Sequence, residues 1–393
     1  MNALKPDEGR IYLDHNATTP LHPAVLEAML PWLGKNFGNA SSIHAEGRAA
    51  RSAIDKARQQ AAALLGAAEE EVYFTSGGTE SNNLAIFGSA AGTAPSGKAR
   101  LVTSAVEHHA VERPAERLAR RGFELVILSV DCFGRVDPSE LEKVLADGRV
   151  CLVSIIAANN EVGTVQPLDA LGGLCRQAGV TFHTDAVQAA GKIELDMGEL
   201  PVDLLSLSGH KIYGPKGVGL LYIRRGLAIE AQILGGSQER RMRAGTENTA
   251  GVVGLGVACE LAAAELEQRN EQILRLRDRL WESLSSRLDG VRLNGHPEHR
   301  ISNTLNVSFE GVEGEALLLN LDLAGIACSS GSACASGSLE PSHVLTAMGL
   351  PAELAQGSVR FSLGRDTTAE QIERAAGEVV QVVSRLRSMQ FSL

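Results

Sequence analysis

The stretch from Thr181 to Leu221 constrains this chain most, because it reads as two buried strands that each run into polar, ionisable side chains. The first strand, around Val180 to His183, leads into Asp185 and Gln188. The second, Asp203 to Ser208, leads into Gly209, His210 and Lys211. Near-continuous apolar strands belong to sheets covered on both faces, and the C-terminal ends of such strands are where α/β sheets hold ligands.

Lys211 follows Ser208-Gly-His and precedes Gly214-Pro215 and a second glycine-rich strand, a setting that suits a site better than a solvated surface. Burial and neighbouring positive charge lower a lysine pKa and leave an amine able to form a Schiff base. A pyridoxal phosphate (PLP) site asks for such a lysine together with a carboxylate that keeps the pyridine nitrogen protonated. Asp185 is the candidate carboxylate, and Gln188 can reach the ring oxygen. The alternative is an ordinary Rossmann-like sheet carrying a chance lysine.

The preceding chain repeats strand and helix. Strands are expected at Val72 to Thr75, Arg100 to Ser104, Phe123 to Val130 and Val150 to Ile156, and helices at Pro23 to Leu33, Gly47 to Leu65, Arg113 to Arg121 and Asp137 to Leu145. This is the pattern of a mostly parallel sheet with helices on both sides. Ser76-Gly-Gly-Thr-Glu-Ser after the first of these strands has the form of a phosphate seat, since glycine admits close approach and a helix N-terminus offers free N–H groups. It also reads as a plain capped helix start. His108 and Asn160 stand at two further strand ends, and an imidazole at such an end can stack on a ring or move protons. The Asn16 to Thr19 run and the Phe37 to Ser42 loop are dense in small polar groups that could line a pocket. The arginines from Arg240 to Arg243 read as a phosphate grip or a solvated edge.

A helical pattern from Thr249 to about Leu288 turns from small and apolar to charged, as expected of a helix that leaves one core for another. A strand at Thr304 to Phe309, a helix from Glu313 to Leu323 and a strand at Ser358 to Leu363 follow. The last helix opens on a Thr367/Glu370 capping box, with Ile372, Ala375, Val379, Val383 and Leu386 inward. Between these elements, Ala327 to Glu340 is polar, glycine-rich and aperiodic, which suits a mobile loop. Cys334 in that loop is a candidate nucleophile on a swinging arm, whereas Cys328 at its apolar edge suits packing. Arg360, inside a strand, is explained by bidentate binding of a substrate carboxylate or by a structural salt bridge.

The chain has 393 residues, room for two domains. A net charge of −10 with basic residues not gathered into a tract argues against nucleic acid as a partner. Neither a secretion signal nor a membrane span is legible, so the six cysteines are expected to be reduced thiols in the cytoplasm.

YLDHNATTP, FTSGGTESNN, EHHAV, NNEVGTVQP, HTDAVQ, SGHKIYGPKG, RAGTEN and SSGSACASGSLEPSHVL occur in this order over nearly the whole chain. With them the sequence resembles the PLP-dependent cysteine desulfurases of the NifS/IscS family. The resemblance implies fold type I of the PLP-dependent transferases: an α/β large domain with a mostly parallel sheet, and a smaller α+β domain. Residues 1–13 would pack with the small domain, 14–258 form the large PLP domain, and 259–393 form the small domain carrying the cysteine loop.

It further implies that Lys211 holds PLP as a Schiff base and shuttles protons. Asp185 pairs with the pyridine nitrogen, Gln188 with the ring oxygen, and His108 stacks on the ring. Gly78, Thr79, Ser208 and His210 bind the phosphate, with Thr246 donated by the other subunit of a homodimer. Asn160, also placed beside the cofactor, and Arg360 hold the carboxylate of L-cysteine. Cys334 takes the sulfur as a persulfide, alanine leaves, and the sulfur passes to an IscU/NifU-like scaffold protein for iron–sulfur cluster assembly. Cys334 is also a candidate ligand of a shared cluster.

Two positions depart from the family pattern: Asp366 stands where a bulky residue is usual, and Cys328 where a small apolar one is. Cys328 is then either inert or a partner for Cys334 in a disulfide under oxidation. RAGTEN and SGSLEPSHVL lean towards NifS, leaving general cluster assembly and nitrogen fixation both open. The competing readings are a selenocysteine lyase or another fold type I enzyme, and a non-catalytic assembly scaffold.

Overall fold

The computed structural model describes residues 9–91, 99–330 and 341–390. Cys334 lies outside the described residues. After the short strand β1 (Ile11–Tyr12) come helices α1 (Pro23–Leu33) and α2 (Ala45–Leu64), then β2 (Val72–Thr75), α3 (Gly78–Ala91), β3 (Arg100–Ser104), α4 (His109–Ala119), β4 (Glu124–Leu128), α5 (Pro138–Leu145), β5 (Val150–Ser154), α6 (Leu168–Ala178), β6 (Thr181–Asp185), β7 (Leu204–Ser208) and β8 (Gly219–Ile223). Seven of these strands form one sheet in the order β2-β8-β7-β6-β5-β3-β4. β8 is antiparallel to both its neighbours, and the other pairings are parallel. The C-terminal ends of β3, β5, β6 and β7 therefore open on one edge.

Every residue of β5, β7 and β8 is buried, as expected of strands roofed on both faces. The polar side chains among them bond to each other. His183 of β6 is wholly buried between Ser154 Oγ of β5 at 2.8 Å and Ser206 Oγ of β7 at 3.0 Å. Burial pushes its pKa down to about 3, so the imidazole is neutral and ties three strands together.

The helical pattern expected from Thr249 to Leu288 is two helices, α7 (Thr249–Ala264) and α8 (Leu266–Ser285), bent by 72° at Glu265. The change of composition coincides with the break. α7 buries Val252, Leu255 and Ala258 in the core of the large sheet, whereas α8 gives Ile273, Leu280 and Leu284 to a second core. A side chain at Gly256 would stand 2.6 Å from Ala57 Cα, so only glycine lets α7 lie this close to α2.

The remaining elements are β9 (Val291–Asn294), β10 (Thr304–Phe309), α9 (Gly314–Leu323), β11 (Ile326–Ala327), α10 (His343–Ala347), α11 (Ala352–Gln356), β12 (Ser358–Ser362) and α12 (Ala369–Gln390). β12-β10-β9 form an antiparallel sheet, and β1 pairs in parallel with β11. Ile11 and Leu13 thus lie in the second core beside Phe309 and Phe361. The chain start crosses from this core to the first along Asp14 to Thr19.

Two local expectations are corrected. α4 begins at His109 rather than Arg113, because His108 Nδ1 accepts the Ala110 N–H and caps a turn upstream of Pro114. The capping box of α12 is Thr368/Gln371, one residue later than expected, because Thr367 Oγ1 is taken by the Gly364 N–H. Among the described residues no single helix is long and apolar enough to cross a membrane.

Candidate active site

At the C-terminal edge of the large sheet lies a cavity of about 360 Å³, large enough for a small cofactor or substrate. It gathers ten of the twelve residues expected at the site: Gly78, Thr79, His108, Asn160, Asp185, Gln188, Ser208, His210, Lys211 and Arg360. Thr246 is exposed and is not part of the lining. Cys334 is not described.

The buried end is acidic. Asp185 closes β6 and is 3% exposed. Its Oδ2 accepts from Asn82 Nδ2 at 2.7 Å and its Oδ1 from the Val187 N–H at 3.0 Å. Each oxygen keeps lone-pair capacity for a donor in the cavity. Beneath the site, burial pushes the Glu107 carboxyl up to about 8, so it is neutral at pH 7. Its Oε1 accepts from Ser104 Oγ and the Ile156 N–H.

One wall is the start of α3. Gly77 has φ +152°, and a Cβ at Gly78 would stand 2.5 Å from Val187 Cγ2, so the backbone itself lines the cavity. The first intrahelical bond runs from Ser81 N to Gly77 O, which leaves the N–H groups of Gly78 and Thr79 at the positive end of the helix. Ser208 and His210 complete this side. Burial and the charges of Lys211 and Lys216 push His210 down to about 4, so it is a neutral donor or acceptor.

Lys211 follows in the turn after β7. Its Nζ donates to Asn16 O at 2.5 Å and Ala17 O at 2.7 Å. The Asn16 to Thr19 run is therefore part of the site, whereas the Phe37 to Ser42 loop, read on the same grounds, does not line it. His108 is held by its Nδ1, which accepts the Ala110 N–H at 3.0 Å. Burial lowers its pKa, opposed by the carboxylate of Asp185. Nδ1 as acceptor places the proton of the neutral ring on Nε2.

Arg360 makes the structural salt bridge and keeps N–H groups spare. Nη2 donates to Asp14 Oδ1 at 2.7 Å and Nη1 to Asn160 O at 3.0 Å. Nε is buried with no partner, and the remaining N–H groups can take a carboxylate. The Arg240 to Arg243 segment lies away from the cavity: Arg240 donates to Glu70 O and Val72 O over the Tyr73 ring, and Arg243 pairs with Glu80.

Sequence reasoning assigned no role to Asn82 or His343. Asn82 stands one helical turn beyond Gly78, the only local signal for it; its Oδ1 is buried without a partner. His343 lies far along the chain and stacks on His109 with ring centres 5.2 Å apart. Its place at the end of the SSGSACASGSLEPSHVL motif, nine residues after Cys334, is the signal that could have found it.

Cys328 packs against the second core, and burial first, then Asp14, push its thiol up to about 12. A thiol so seldom ionised is a poor nucleophile and a poor disulfide partner. Alkylation of the folded protein at neutral pH, read by peptide mass spectrometry, is expected to modify Cys328 roughly a hundredfold or more slower than the exposed Cys132. Equal rates would contradict its burial.

A mostly parallel seven-stranded sheet with a lysine and a buried carboxylate at its strand ends, beside a small antiparallel domain, is the architecture of the fold type I PLP-dependent enzymes. The cavity suits that cofactor: Asp185 keeps free lone pairs, the α3 N-terminus is open, and Asn82 Oδ1 and Arg360 Nε await partners. Residues 11–375 match the aminotransferase class-V family, and the chain belongs to it. A relative from Methanosarcina thermophila, cysteine desulfurase IscS, is 52% identical over 379 residues, covering 96% of this chain and 93% of that protein. A solved structure of a NifS-like protein superposes with a TM-score of 0.90 at 38% identity, covering 96% of this chain and all of that one. Another, SspA in complex with cysteine, gives a TM-score of 0.79 at 37% identity, covering 90% of this chain and 98% of that one.

Proposed function

We infer that this chain is a PLP-dependent cysteine desulfurase that takes sulfur from L-cysteine for iron–sulfur cluster assembly. The observation that carries the reading is the gathering of Lys211, Asp185, His108 and Arg360 around one cavity in a chain half identical to named desulfurases. When bound, PLP supplies an electron sink for bond breaking at the substrate.

The protein's own groups do the rest. Asp185 holds a proton on the ring nitrogen, with its orientation set by Asn82 and Val187. The α3 N-terminus, Ser208 and His210 seat the phosphate. Arg360, fixed by Asp14, takes the substrate carboxylate beside Asn160. Lys211 moves the α-proton, and neutral His108 stacks on the ring and holds a proton on Nε2. The thiolate of Cys334 attacks the substrate sulfur and forms the sulfur–sulfur bond of a persulfide as the carbon–sulfur bond breaks; the electron pair of that bond stays with the carbon, which takes up a proton, and alanine leaves.

The same reading includes a homodimer and a scaffold protein that accepts the sulfur. Leu26, Leu30 and Leu33 of α1, with Phe37 and Ile43, are exposed apolar groups that a second copy would cover, and outward-facing Thr246 suits donation to a neighbour's phosphate. The reducing cytoplasm suits the thiol chemistry.

The test is an absorbance spectrum of the purified protein before and after L-cysteine, with alanine and sulfide assayed together. A visible band that shifts on addition, with both products in equal amount under excess reductant, is the expected result. A band indifferent to cysteine moves the substrate elsewhere, to selenocysteine or another amino acid. No band after adding PLP leaves only a scaffold.

A further inference from the structure

Lys192 has no role in the reading above, yet its ammonium is placed with unusual economy of partners. Nζ donates to Gln188 Oε1 at 2.9 Å and to Gln188 O at 3.1 Å. Among the described residues it forms no salt bridge. The charges nearest it are positive: burial first, then Lys211, Arg269 and Arg360, push its pKa down to about 7. Placing a half-buried amine among cations opposes folding, and an apolar side chain of similar length would be better tolerated there. Its position is therefore poorly explained by stability.

What the ammonium does is decide which way an amide faces. Gln188 is 4% exposed and lines the cavity. A side-chain amide has two ends of nearly equal shape, and only its partners distinguish them. In its ammonium form Lys192 has three donors and no acceptor, so it takes the oxygen. The nitrogen is thereby turned the other way, and Nε2 donates to Asn16 O at 2.9 Å with one hydrogen to spare. The same Asn16 carbonyl accepts from Lys211 Nζ. Asn16 is itself fixed from the second core, its Nδ2 donating to Thr304 Oγ1 and its Oδ1 accepting from Asn303 Nδ2. Lys192 thus donates to Gln188 and Gln188 to Asn16, and this run meets the Lys211 ammonium on the same Asn16 carbonyl.

We propose that Lys192 is a positioning residue that locks the Gln188 amide with its nitrogen presented to the ring oxygen of the cofactor. The assignment rests on the PLP reading. Without Lys192, Gln188 Oε1 is left buried and unpaired, and the amide is free to turn an acceptor toward an oxygen that needs a donor.

The test is a double-mutant cycle on apoprotein titrated with PLP, read as the dissociation constant and the position of the visible band. Lys192→Met and Gln188→Leu are each expected to weaken PLP binding about tenfold, the scale of one lost hydrogen bond. They should shift the band alike, and the double variant should be no worse than either single one. Multiplying effects, or a Lys192→Met protein with wild-type affinity and spectrum, would overturn the assignment. Lowered thermal stability with unchanged PLP binding would do the same. Lys192→Ala runs through the same cycle if the methionine variant fails to fold. A wild-type protein that shows no band removes the PLP reading and this assignment with it. A normal wild-type band beside an unaffected variant removes the assignment alone.

Discussion

Replacing Lys211 by alanine is expected to lower sulfide release from L-cysteine by at least about 10⁴-fold, the upper end of what a positioned acid–base group contributes. It is the one lysine lining the cavity among the described residues. The neighbouring amine cannot stand in, because Lys192 Nζ is committed to the two oxygens of Gln188. The loss should be chemical rather than structural. Lys211 Nζ bonds to the carbonyls of Asn16 and Ala17, and the Asn16 carbonyl keeps Gln188 as a donor when the amine is gone. Circular dichroism should therefore be unchanged, while the visible band of the bound cofactor should be lost or displaced. Sulfide release within tenfold of wild type would refute the placement of Lys211 at the centre of the chemistry.

The second large effect is on stability. Glu239→Ala is expected to cost about 3–5 kcal/mol, seen as a lower urea midpoint, because it strands a buried charge. Arg58 and Glu239 are both almost fully buried and make a two-pronged pair, Nη1 to Oε2 at 2.8 Å and Nη2 to Oε1 at 2.7 Å. Glu239 Oε2 also accepts the Phe74 N–H at 2.9 Å, and the Arg58 guanidinium lies 4.7 Å from the Phe74 ring centre. The carboxylate further holds a costly backbone: Glu239, Arg240 and Arg241 have φ of 43°, 54° and 69°, a region that side chains other than glycine rarely adopt. With the anchor gone, this segment should relax, and Arg243 should loosen its hold on Glu80 beside the α3 N-terminus. Glu239→Gln, which keeps the shape and one acceptor, should fall between. A loss below about 1 kcal/mol for alanine would show that Arg58 finds water or another partner.

The residues legible in the sequence share one property: they stand where a local pattern ends. His108, Asn160, Asp185 and Lys211 each follow an apolar strand, and strand ends in a parallel sheet converge on one edge whatever the rest of the chain does. Gly78 and Thr79 were legible because glycine before a helix has a local backbone consequence. Even the bend at Glu265 was foreshadowed by a change of composition, although periodicity alone ran the helix through it.

What tertiary structure alone decided is which side chains meet across long separations. Asp14 against Arg360, Asn16 against Gln188 and Lys211, His343 against His109, and Arg58 against Glu239 all join segments whose sequences carry no trace of each other. Lys192 shows the limit most plainly. Four residues after Gln188 it carries no local signal in the sequence, and only the packing around it makes it a half-buried amine that bonds to Gln188 with Lys211, Arg269 and Arg360 as its charged neighbours. Periodicity and turn chemistry act within a few residues, so they determine elements and their ends. Burial, charge neighbours and hydrogen-bond direction are properties of the assembled core, and they determine what those ends can do.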